Sequence, residues 1–143
     1  MNRTSNRSRN GYALLARSDE WYKQLSHAEI QQIVSDNKAW VDRLRSQGKV
    51  KGGLVLTREG ATISGNDRRQ IVSDGPFAES KEAIGGTLVL DVETLEEAIA
   101  IARTLPSLKY NTTLEVRPIG DECPLQAYAR QREQEERLVM ADA

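Results

Sequence analysis

The chain has one cysteine, Cys123, and one histidine, His27, in 143 residues, and each scarcity closes off a chemistry. With a single cysteine there is no internal disulfide, so the core alone must hold the fold, and a reducing cytoplasm is the expected compartment. A zinc site of the usual kind needs several nitrogen and sulfur ligands, so no metal is expected. One histidine serves a Ser–His–Asp triad badly, and no Gly-x-Ser-x-Gly elbow is present. His27 falls in the first turn of a helix, where the dipole opposes a positive charge, and reads as a surface residue rather than a general base. Cys123 follows Asp121 and Glu122, whose charges oppose a thiolate.

Other shortages narrow the partners. Aromatic residues are 5% of the chain and do not interleave with basic ones, which argues against a single-strand nucleic-acid surface. The formal charge is −1, so no net field draws the molecule to nucleic acid or anionic lipid. Apolar runs such as Leu54-Val55-Leu56 stop far short of the ~20 residues a membrane span requires. Ala13 to Ala16 is too short for a secretory core. The pairs Gly52-Gly53 and Gly85-Gly86 lack the spacing of a phosphate loop or dinucleotide fingerprint, and no cofactor is expected.

What is present reads as one domain between polar ends. Residues 1–10 are rich in Asn, Arg and Ser and are expected to be a disordered basic tail. Tyr12 to Arg17 is a short strand. Ser26 and Glu29 make a capping box that opens a helix with the stripe Ile30, Ile33, Val34, Trp40, Val41 and Leu44, and Gly48 stops it. Val50 to Thr57, Ala61 to Ser64 and Arg69 to Ser73 read as strands joined by turns. Thr87 to Val92 alternates, with Leu88, Leu90 and Val92 on one face. Thr94 and Glu97 open a second helix with the stripe Leu95, Ala98, Ile99, Ala102 and Leu105, ended by Pro106. Thr112 to Pro118 is the last strand. Residues 11–120 therefore form a β-α-β(ββ)-β-α-β domain, an α+β sandwich of ferredoxin-like type with an extra hairpin. Residues 121–143 add a C-terminal helix opening at Pro124.

Asn37 interrupts the apolar stripe of the first helix. A polar amide there must find a partner, either a structural hydrogen bond to a nearby strand or a ligand in a pocket between helix and sheet. The other unusual stretch is Asp74-Gly75-Pro76-Phe77-Ala78-Glu79-Ser80-Lys81-Glu82, a turn followed by dense charge. Asp74 is the candidate acid–base residue, although an aspartate opening a turn commonly bonds its own backbone amides. Phe77, Glu79, Lys81 and Arg117 are candidates to line or rim a cleft with Asn37, with Lys81 or Arg117 orienting an anionic group.

That nine-residue stretch resembles the signature of the YCII-related family in its DGPF branch, with Ser80 where the branch usually has threonine. The match extends to Ile84-Gly85-Gly86, to Leu95-Glu96-Glu97-Ala98 and to Glu115-Val116-Arg117-Pro118, and covers residues 11–119. The resemblance implies a homodimer, sheet to sheet, forming a dimeric α+β barrel with a cleft in each protomer. Better-known members carry a His–Asp pair proposed to be catalytic. Here the histidine falls on Asn37 and the aspartate on Leu105, so that mechanism does not transfer. DGPF-branch members are also often encoded beside, or joined to, sigma factors of the extracytoplasmic-function group. Two functions stay open: a domain binding an unidentified small molecule, with or without enzymatic use of Asp74, and a non-catalytic dimeric module partnering a protein such as a sigma factor.

Overall fold

Two capping motifs fix where the main helices begin. The Ser26 hydroxyl accepts from the Glu29 amide at 3.2 Å while the Glu29 carboxylate accepts from the Ser26 amide at 3.1 Å. Thr94 Oγ1 accepts from the Glu97 amide at 3.2 Å. Each satisfies a backbone donor that the first helical turn leaves unpaired. The computed structural model describes residues 7–78 and 80–142. In chain order these form β1 (Tyr12–Ser18), α1 (His27–Ser46), β2 (Val50–Val55), β3 (Ala61–Gly65), β4 (Gln70–Asp74), β5 (Ala83–Leu90), α2 (Leu95–Ala102), β6 (Thr112–Pro118) and α3 (Pro124–Ala141).

Four strands make one antiparallel sheet in the order β2-β5-β1-β6, and β3 with β4 makes a separate two-stranded ribbon. α1 carries the chain from β1 across β5 to β2, and α2 carries it from β5 across β1 to β6. This mixed α+β arrangement is compatible with a ferredoxin-like fold. Both helices cover the same side. Tyr12 and Leu14 of β1, Leu90 of β5, Trp40 and Leu44 of α1, and Ala98, Ile101 and Ala102 of α2 are buried in one cluster. Burying a large aliphatic side chain is worth about 1.5–3 kcal/mol, so this single layer supplies most of what holds the domain. Trp40 Nε1 donates to Thr104 Oγ1 at 2.8 Å, and that hydroxyl donates to the Ile101 carbonyl, so α1 is tied to the chain just beyond α2.

Several expectations are corrected by this packing. Val34 and Ile99, assigned to the apolar stripes, are 61% and 41% exposed, and Ile101 takes the core place expected for Ile99. Both misplaced residues flank the stripe by one position, which is enough to turn a side chain out by the ~100° helical step. β5 runs from Ala83 to Leu90 rather than from Thr87 to Val92, so Gly85 and Gly86 lie inside the strand. Of the residues expected to form a disordered tail, 1–6 lie outside the described residues, but Ser8 to Asn10 are pinned. Ser8 Oγ donates to the Ile119 carbonyl at 2.9 Å, Arg9 pairs with Asp121 at 3.0 Å, and Asn10 Nδ2 donates to Asp121 at 2.8 Å. Gly11 then turns the chain into β1 at φ 85°, where a Cβ would stand 2.2 Å from the Leu90 carbonyl oxygen. No other residue fits there.

α3 forms as expected, and none of its described side chains is buried. Among the described residues no helix is long and apolar enough to cross a membrane.

Candidate functional site

Several side chains beneath the C-terminal half of α1 are small. Across the sheet, Val55, Gly86, Ala16 and Leu114 stand in one register row, and Gly53, Leu88 and Leu14 stand in the next. Gly86, Ala16 and Gly53 put little between sheet and helix, so an open cleft of about 320 Å³ remains at the β2 edge. That volume is at the lower end of what small-molecule sites use. Trp40, Val41 and Arg45 form the α1 wall, and Leu105 closes the far side. The lining side chains are aliphatic and aromatic apart from Arg45. Thr87 borders the cleft from a strand position that alternates with Leu88 and so presents its side chain to the opposite sheet face.

Asn37 lies three and four residues before Trp40 and Val41, and so shares their helix face. Its Oδ1 is closed off from solvent and has no hydrogen-bond partner among the described residues. Of the two expectations for Asn37, the structural bond to a strand is therefore not made by this oxygen. A buried unsatisfied acceptor costs about 1–3 kcal/mol, which marks Asn37 as a poor choice for packing alone.

The signature stretch lies elsewhere. Asp74 ends β4 opposite Ala61, is exposed, and makes no side-chain hydrogen bond among the described residues. The turn-capping bond expected of it is thus absent there. Gly75 donates to the Gly60 carbonyl, and a Cβ on Gly75 would meet Gly60 backbone atoms at 2.7 and 2.8 Å. Phe77 is half-buried, with Lys81 Nζ 4.7 Å from its ring centroid. Glu79 lies outside the described residues. Arg117 alternates with Val116, which packs beneath the helices, so its side chain leaves from the opposite sheet face, 3.9 Å from Glu115. None of Asn37, Asp74, Phe77, Lys81 and Arg117 is among the residues that line the cleft.

Arg58 is the residue that sequence reasoning missed. Its guanidinium donates to the Ser18 carbonyl at 3.3 Å, to the Ala78 carbonyl at 2.9 Å and to the Lys81 carbonyl at 2.5 Å. Its Nε also stands 3.4 Å from Glu20. One side chain thereby clasps the signature loop to the end of β1. The hydrogen bond from Lys23 holds the Glu20 carboxyl below the usual carboxylate range, and the charges of Lys23 and Arg58 add to this. A lone arginine before a Glu59-Gly60 turn gives no sequence signal of such a role. Among the described residues no three of His, Cys, Asp and Glu gather as a metal-holding group.

Replacing the orphaned amide by an apolar side chain of similar size removes its desolvation penalty. Asn37→Leu should leave the urea unfolding midpoint unchanged or raise stability by about 1 kcal/mol. A loss of about 2 kcal/mol or more would mean that the amide has a structural partner after all.

A model of the YCII-related domain matches residues 12–121. The chain is also 34% identical over 117 residues to an uncharacterized protein of Rhizobium meliloti (strain 1021), an alignment covering 76% of this chain and 91% of that protein. The chain belongs to the YCII-related domain family.

Proposed function

We propose that this YCII-related domain binds a small, largely apolar molecule in the cleft between α1 and the sheet. The observation that carries the reading is the open apolar hollow of about 320 Å³ walled by Trp40, Val41, Leu105 and the sheet. Asn37, with its unsatisfied carbonyl, lies one turn before Trp40 on the same helix and outside that lining. Within one chain Asp74 stands outside that hollow, so the proposal assigns the cleft binding and gives Asp74 no proton-transfer role in it. The run from Asp74 to Phe77 supports assignment to the DGPF branch, and in this reading it is architecture: Gly75 seats against Gly60, and Arg58 clasps the loop.

The test uses 1-anilinonaphthalene-8-sulfonate, whose fluorescence rises in apolar sites. Wild type should enhance it, Val41→Trp, which fills the cleft, should abolish the enhancement, and an Ile63→Ser/Val72→Ser hairpin variant should retain it. Enhancement that survives Val41→Trp and disappears with the hairpin variant would overturn the proposal. The second reading, a protein-docking module such as a sigma-factor partner, draws on the exposed Leu125, Tyr128, Leu138, Val139 and Met140 of α3. A chain cut after Pro124 separates the two, because cleft fluorescence should persist where capture of a protein by α3 would not.

A homodimer belongs to the same proposal. On the face away from the helices, Ala13 pairs with Val89 and Leu15 with Thr87, a half-buried patch that a second copy would cover. Sedimentation should give twice the chain mass of 16.0 kDa for wild type and a single chain mass for Leu15→Arg. A wild-type monomer at tens of micromolar would remove the dimer from the account.

A further inference from the structure

Arg45 is the one ionisable side chain among the residues that line the cleft. Of its cationic neighbours, Lys38 pairs with Asp42 at 2.8 Å and Lys49 with Glu97 at 3.6 Å, while Arg43 has no ion pair among the described residues and does not line the cleft. Arg45 has no ion pair and no side-chain hydrogen bond among the described residues, and only its longer-range field reaches Asp42. Arg43 and Arg45 both lie in the last turn of α1, where a cation complements the helix dipole. That accounts for a basic residue in this turn, but not for the one that walls an apolar hollow.

We infer that the cleft takes an amphipathic monoanionic acid, with its carboxylate on the Arg45 guanidinium and its apolar body along Val41, Trp40, Leu14 and Leu105. The inference rests on the cleft being a binding site and adds the chemistry of what binds. A guanidinium is permanently charged and presents paired donors that match a carboxylate. One cation neutralises one charge, so a pyrophosphate or nucleotide is poorly matched. Such groups use several backbone amides or a helix N-terminus, and this wall is the C-terminal half of α1. A cationic ligand would be repelled by Arg45, and a fully polar one would waste the aliphatic walls.

The experiment is calorimetric titration of the full chain with octanoate, octan-1-ol and octylamine, which share a body and differ in the head. Octanoate should bind at least tenfold tighter than octan-1-ol, with octylamine weakest. Arg45→Gln should raise the octanoate Kd about tenfold, a change of about 1.4 kcal/mol, and leave octan-1-ol within about twofold. Arg45→Lys, which keeps the charge and loses the fork, should fall between. Arg45 is exposed, so unliganded unfolding midpoints should match wild type and show that each variant folds. Equal binding of octanoate and octan-1-ol, or octanoate binding indifferent to Arg45→Gln, would overturn the acid while leaving an apolar site in place. Binding of none of the three, or binding that Val41→Trp does not disturb, would overturn the acid and the cleft together.

Discussion

Everything in this molecule depends on one layer of side chains between two helices and a single sheet face. Trp40 and Leu44 of α1, and Ala98, Ile101 and Ala102 of α2, meet Tyr12, Leu14 and Leu90 from the two central strands. A chain of this size has room for one such layer, and interiors of this kind are packed nearly as tightly as crystals. A hollow within the layer therefore carries information. Below the C-terminal half of α1 the sheet offers Gly53, Gly86 and Ala16 beside the leucines of the same two rows, and there the layer opens. A Cβ on Gly53 would stand 2.7 Å from the Thr87 carbonyl oxygen and one on Gly86 3.0 Å from that of Leu54, so close strand packing itself calls for these glycines and leaves the hollow above them.

Much of the fold was legible because its signals are local. Ser26 with Glu29 and Thr94 with Glu97 each act within one helical turn, and the alternation of Leu88, Leu90 and Val92 acts within one strand. Asn37 was visible as a misfit in its stripe for the same reason. The cleft was not legible. Its floor is assembled from β1, β2 and β5, which become neighbours only through the strand order, and no window of sequence displays that. Arg58 was hidden by the same distance: it holds carbonyls 40 positions before it and 23 after it. The expectation that gathered Asp74, Phe77, Lys81 and Arg117 around Asn37 assumed one cleft for all the unusual chemistry. The register instead sends Arg117 to the far face, and the hairpin carries Asp74 away from the hollow.

The signature loop and the cleft therefore lie in different parts of the fold. The loop, clasped by Arg58 and stacked through Phe77 and Lys81, anchors a ribbon whose five-residue strands are exposed throughout. Of the two polar groups on this side of α1, the Arg45 guanidinium lines the cleft and has no ion pair among the described residues, while the Asn37 acceptor lies two turns earlier, about 12 Å along the axis, and outside the lining.

The most direct measurement is a methyl-detected NMR titration with octanoate. Cleft occupancy should shift the methyls of Leu14, Val41, Leu105 and Leu114 together and leave those of Ile63, Val72, Leu138 and Val139 in place. Shifts confined to the second group would mean that the ligand sits on the ribbon or on α3, and the account of the cleft would be wrong.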